Sequence, residues 1–191
     1  MRSRRPAARP VADDPVGEAD VLDPLGCARR LASNALAFQA LLDGVEGAQA
    51  RWKPEPGKWS LLEVVNHLAD EEREDFRVRL ELLLRDPSTP WSPIDPEGWA
   101  SERGYNERAL DASLERFLRE RAASVEWLGS LAKVSRDGVH QRPGRVPLTA
   151  SDLLVSWLAH DLIHLRQIVR LHYQYLTLQA GHDSPGYAGP W

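Results

Sequence analysis

Cysteine is nearly absent, with Cys27 the only one in 191 residues. An internal disulfide is therefore impossible, no second thiol is available for a zinc knuckle, and nothing in the chain calls for an oxidising compartment. No apolar run reaches membrane-spanning length, and no apolar stretch follows the basic opening Arg2, Arg4, Arg5 and Arg9, so neither a spanning helix nor a secretory signal is expected. A positive excess is missing too. Lys and Arg number 24 against 28 Asp and Glu, a net charge of -4, which argues against a chain whose main task is neutralising phosphates. Nucleic acid and membrane are not expected partners, and the cytoplasm is the expected compartment. What is present is ordinary for a folded domain: 42% of residues are hydrophobic and 27% charged, and the length suits one well-buried core.

Residues 1–20 mix the four arginines with Pro6, Pro10, Pro15 and the acidic Asp13, Asp14, Glu18 and Asp20, and they are expected to form a disordered tail. Residues 21–191 are expected to form a single all-α domain. Leu31, Ala35, Phe38 and Leu42 recur at helical spacing before Gly44 and Gly47 interrupt the pattern. Ser60-Leu61-Leu62-Glu63 has the form of a capping box opening a second helix that runs to about Leu84. A third amphipathic stretch carries Leu110, Leu114, Phe117, Arg121, Val125, Leu128 and Leu131 on one broad side. The last helix opens near Thr149-Ala150-Ser151-Asp152 and continues to about Leu178. With no alternating strand pattern, four such helices predict a four-helix bundle. Pro87, Pro90, Pro93 and Pro96, at intervals of three, are read as a stiff crossover loop rather than a docking ligand.

Two histidines set the chemistry. His160 and His164 lie four apart on the last helix, with Cβ atoms about 6 Å apart on one face, a chelating arrangement. His67, flanked by Leu61, Val64, Val65 and Leu68, is expected to face inward from the second helix and to supply a third ligand. Three neutral imidazoles suit zinc, nickel, copper or iron and leave coordination positions for water or substrate. Packed, hydrogen-bonded core histidines are the plainer explanation of the same spacing.

The runs Gly57-Lys58-Trp59-Ser60-Leu61-Leu62-Glu63-Val64-Val65-Asn66-His67-Leu68-Ala69-Asp70 and His160-Asp161-Leu162-Ile163-His164-Leu165-Arg166-Gln167-Ile168 resemble the two signature regions of the DinB-like (YfiT-like) metalloenzyme superfamily. The resemblance spans roughly Pro24 to Trp191. It implies a helical bundle of that type, with His67 as the first metal ligand and His160 and His164 as the pair from the last helix. It also implies a divalent ion, zinc or nickel first, iron or manganese next, and a metal-dependent enzyme acting on a small molecule. Some family members are thiol transferases or isomerases that use a low-molecular-weight thiol such as bacillithiol or mycothiol, so a thiol S-transferase or a hydrolase is implied, with a thiol cofactor possible. The alternative is a non-catalytic, metal-binding stress-response bundle. Exposed helix faces make a homodimer reasonable.

Among the neighbours, Glu71 stands one helical turn beyond His67, where it would be a general base on activated water or an acceptor behind the ligand. Gln167 would point at the open side of the ion or cap a neighbouring helix. Asp161 projects about 100° away from the ligand face and is expected to be an outer-shell or interhelical partner rather than a ligand. Trp59 and Trp157 are expected in the core or pocket wall, and Trp91 and Trp99 over the metal cleft. His140, His172 and His182 are expected to be structural or exposed, and Cys27 a buried hydrophobe.

Overall fold

The computed structural model describes residues 23–131 and 138–191. The expected tail, residues 1–20, lies outside them. Seven helices carry the described chain: α1 (Pro24–Leu42), α2 (Gly47–Arg51), α3 (Leu61–Asp70), α4 (Arg77–Arg85), α5 (Pro96–Glu102), α6 (Leu110–Ser130) and α7 (Ala150–Ala180). A π-helical segment, Glu71–Phe76, joins α3 to α4 without a break, so the second predicted helix is one rod that runs one residue past the expected end. Strands β1 (Val139–His140) and β2 (Leu148–Thr149) form a two-residue antiparallel pairing before α7.

The helix starts are chemically specified. Asp23 accepts from the amides of Leu25 and Gly26 to open α1, with Pro24 at its first position. Ser60 and Glu63 make both halves of a capping box at α3, and Thr149 and Asp152 do the same at α7. Past the end of α1, Gly44 takes φ 69, a left-handed turn that glycine adopts at no steric cost.

The long elements form a four-helix bundle. One apolar cluster joins Leu31 at the start of α1 to Leu80 and Leu83 on α4, Leu128 near the end of α6 and Leu154 at the start of α7. A second joins Phe38 and Leu42 to Val64, Val65 and Leu68 on α3, Phe117 on α6 and Ile168 and Leu171 on α7. The clusters sit at opposite ends, so α1 and α7 run parallel, and the α3–α4 rod and α6 run parallel to each other in the opposite sense. A rod followed by a parallel α6 needs a connection that returns the length of the bundle, and residues 86–109, with α5 and its Pro96 start, make it.

Between the clusters lies a polar layer to which every long helix contributes. Arg121 of α6, 1% exposed, donates to both carboxylate oxygens of Asp161 at 2.7 and 2.6 Å, to Glu72 Oε1 at 2.8 Å and to the Leu31 carbonyl at 3.0 Å. Asn34 of α1 donates to Asp161 at 2.9 Å, and Trp157 Nε1 to Glu72 at 2.7 Å. Buried carboxylates are tolerated here because each has a cation and a neutral donor on it.

Candidate metal centre

His67 comes from the last full turn of α3, directly before the π segment, and His160 and His164 come from successive turns of α7. The fold brings these three together. The Nε2 atoms of His67 and His160 are 3.2 Å apart, those of His67 and His164 3.2 Å, and those of His160 and His164 3.1 Å. His67 and His164 are buried, and His160 is half-buried. Among the described residues this is the cluster able to hold a metal ion. The triangle's edges are close to the N–N separation of about 3.3–3.4 Å expected around a tetrahedral ion with bonds of about 2.0–2.1 Å. The donor set therefore fits a divalent transition ion.

Electrostatics keep the nitrogens in the ligating form. Burial, then the neighbouring His164, pushes the His67 pKa down to about 3. Burial, then His164 and His67, takes His160 to about 2, and burial lowers His164. All three rings are neutral near pH 7, with lone pairs available. Behind the rings, His164 Nδ1 lies 2.8 Å from Gln167 Oε1, an acceptor, so Nδ1 carries the proton and Nε2 is left bare. His67 Nδ1 has no hydrogen bond, and the nearest carboxylate oxygen is Glu71 Oε1 at 3.7 Å, itself unpartnered.

Glu71 therefore sits on the Nδ1 side of His67, away from the Nε2 triangle. Burial first, then Asp75 beside it, raises its pKa well above the usual carboxylate range. The π segment produces this arrangement. Its wider turn lets adjacent residues point inward together: Glu71 to the back of His67, Glu72 to Arg121 and Trp157, and Phe76 against His160 at 5.1 Å. Inserted π turns often occur at functional sites. Aromatic faces close the sides, with Trp59 at 4.7 Å from His67 and stacked on His164 at 6.4 Å, and Phe76 stacked on Trp157.

Several sequence expectations resolve. Asp161 is an interhelical partner, held by Arg121. Gln167 neither faces the open side nor caps a helix, because His164 holds it. Trp91 and Trp99 are not over the histidines: Trp91 stacks on His140 at 4.0 Å and lies under Arg79, and Trp99 carries the Arg103 guanidinium at 3.9 Å. The crossover is pinned to the rod instead, through the buried Asp70, which accepts from Arg103 at 2.5 Å and also from Tyr105 and Arg116. His140 is structural, bound to the Pro87 carbonyl at 2.9 Å; His172 meets Gln49, and His182 is exposed. Cys27 is buried.

Sequence reasoning missed the Arg121–Glu72–Asp161 knot. Its signal was available, since Arg121 occupies an apolar stripe between Phe117 and Leu128, a place where a charge requires a buried partner.

The family model of the DinB superfamily matches residues 31–168, which include all three histidines. The chain belongs to the DinB superfamily. Among solved structures, the fold of this DinB chain resembles YfiT from Bacillus subtilis, described as a probable metal-dependent hydrolase with an unusual four-helix bundle topology. The TM-score is 0.70, with 18% identity, over 80% of this chain and 87% of that one. No curated protein is similar enough to count as a relative. No helix among the described residues is long and apolar enough to cross a membrane.

Proposed function

We propose that this DinB chain is a metal-dependent enzyme whose ion is held by His67, His160 and His164, and which activates water or a low-molecular-weight thiol against an electrophilic small molecule. The observation that carries the reading is the Nε2 triangle, three neutral nitrogens within 3.2 Å with no other partner that would satisfy them together. The description of YfiT as a probable metal-dependent hydrolase supports hydrolysis, and the thiol S-transferases that the sequence resemblance implies support transfer to a thiol.

A divalent ion so held supplies Lewis acidity, which makes a water or thiol nucleophilic at neutral pH. Everything else is the work of this chain. Burial keeps the imidazoles unprotonated, so binding displaces no proton from them. Gln167 fixes the tautomer and orientation of His164. Glu71 lies on the Nδ1 side of His67, where it is placed as a hydrogen-bond acceptor behind a ligand rather than as a base in front of the ion. Phe76, Trp157 and Trp59 keep water from the ring faces. The partial exposure of His160 leaves the approach on its side.

Elemental analysis of tag-free protein grown with metal in excess tests the centre: about one ion per chain is expected, with loss in His67→Ala, His160→Ala and His164→Ala while helical content survives. Substoichiometric metal in the wild type would overturn it. Ester hydrolysis and thiol addition to an electrophile, assayed on the loaded protein, then separate enzyme from inert binder. The non-catalytic stress-response reading is favoured by one feature, that the five main hollows among the described residues are not lined by the three histidines. It would be adopted if the loaded protein turned over neither class.

A further inference from the structure

We infer that the groove along α7 next to the histidine pair is a subsite for an anionic group, carboxylate or phosphate, carried by a small-molecule substrate. The inference rests on the metal-centre reading for what lies at the other end of that substrate. Its support is separate and lies in the charges of the groove.

Two adjoining hollows follow α7 beyond His164. One, about 200 Å³, is lined by Glu55, Lys58, Trp59, Gln167 and Arg170 among others; the next, about 780 Å³, by Ile163, Arg166, Gln167, Arg170 and Trp191. They share Gln167 and Arg170, so they form one groove. It adjoins the metal centre through residues that touch both. Gln167 is bonded to His164, Trp59 packs on both His67 and His164, and Ile163 lies one turn from His160 on the same helix.

Half of the described Lys and Arg side chains are in ion pairs, and Arg29, Arg30 and Arg145, outside the groove, are among those that are not. Arg77 pairs with Glu120, Arg79 with Asp75, Arg85 with Glu81, Arg103 with Asp70 and Glu74, Arg119 with Glu115, and Arg121 with Glu72 and Asp161. Lys58, Arg166 and Arg170 have neither an ion pair nor a side-chain hydrogen bond among the described residues, and Glu55 is the sole acidic side chain that lines either hollow. Lys58 and Arg170 on the first hollow and Arg166 and Arg170 on the second, against one acidic side chain, make a positive field that draws and orients an anion. Arg170 offers the planar, two-pronged donor set that matches a carboxylate or phosphate, and Lys58 a compact charge across the hollow. Trp59, Ile163 and Trp191 supply apolar walls for the body between.

Helix geometry sets the length of that body. Arg170 lies about 9 Å along the axis from His164 and about 15 Å from His160, at about 1.5 Å per residue. Its side chain extends back towards them, so the anionic group and the reacting atom are separated by several bonds.

A ladder of acids on cobalt-loaded protein tests this, read by the visible absorption of the ion. Succinate, adipate and suberate are each compared with the monocarboxylate of the same length. One carboxylate reaches the ion in either case; the second reaches the groove only in a diacid of matching length. We expect adipate or suberate to bind about fivefold to tenfold more tightly than its monoacid, the scale of two partly exposed ion pairs. The advantage should shrink in Lys58→Gln and Arg170→Gln, vanish in the double variant, and be competed by inorganic phosphate if the subsite also accepts phosphate. No advantage at any length, or one that persists in the double variant, would overturn the proposal. Failure to bind cobalt would sink the metal reading alone. The groove is then read in the metal-free protein from the indole NH resonance of Trp59. A shift on adding suberate that the double variant lacks supports the subsite, and no shift in the wild type overturns it.

Discussion

Replacing Arg121 by methionine tests whether the polar layer holds the bundle together. The guanidinium makes four bonds of 2.6–3.0 Å to Asp161, Glu72 and the Leu31 carbonyl, in a site that is 1% exposed. Without it, Asp161 retains Asn34 and Glu72 retains Trp157, and neither keeps a countercharge. Removing one partner from a buried ion pair costs roughly 3–5 kcal/mol, mostly as uncompensated buried charge. For a domain of this size each kcal/mol moves the unfolding temperature by about 2–4 °C, so Arg121→Met should melt roughly 6–20 °C lower. Circular dichroism melts at pH 7, with urea titrations for the free energy, give the comparison. If charge is the cause, adding Glu72→Gln and Asp161→Asn to Arg121→Met should recover at least half of the loss, because both amides still accept from Trp157 and Asn34. A loss below about 1 kcal/mol, or no recovery on neutralising the two carboxylates, would refute the reasoning.

Two more outcomes follow from other parts of the molecule. Zinc added to a hundredfold excess over its dissociation constant should stabilise the wild type by about 2.7 kcal/mol, and a chelator should reverse this; scanning fluorimetry of His160→Ala should show neither effect if the triangle is the site. Glu74 is held well down, at about 2, by the Arg103 side chain first, against an ordinary value of 4.5. Its folded pKa is depressed, so its contribution to stability is present above about pH 4.5 and disappears as pH falls towards 2. The stability gap between wild type and Glu74→Gln should therefore narrow over that window in urea titrations, and should be smaller throughout in molar salt because Glu74 is partly exposed. A gap that stays constant with pH would contradict the ion pair.

Much of the bundle was legible in the chain because local chemistry specifies it. The Leu31–Leu42 stripe, the Ser60–Glu63 and Thr149–Asp152 capping boxes and the turn at Gly44 each act within one or two helical turns. The π segment was not legible. Glu71, Glu72, Glu74 and Asp75 look like a solvated charged face when read at a regular helical period, and only the inserted turn sends three of the four carboxylates into the interior. Trp91 and Trp99 were misplaced for a related reason: the route of the crossover depends on the distant Asp70, His140 and Arg79, which no local pattern reveals.

The sequence by itself determined that this is a helical domain carrying a histidine pair at chelating spacing, because an i, i+4 relation on one helix is fixed by helical geometry alone. Tertiary structure decided that His67 meets that pair within 3.2 Å, since the approach of α3 to α7 depends on packing at both ends of the bundle. It also decided that Glu71 stands behind the ring of His67, and that Lys58, Arg166 and Arg170 gather without partners beside the centre. The meeting of His67 with the α7 pair, and of Lys58 with Arg170, joins residues about a hundred positions apart, which only the closed bundle brings within reach of one another.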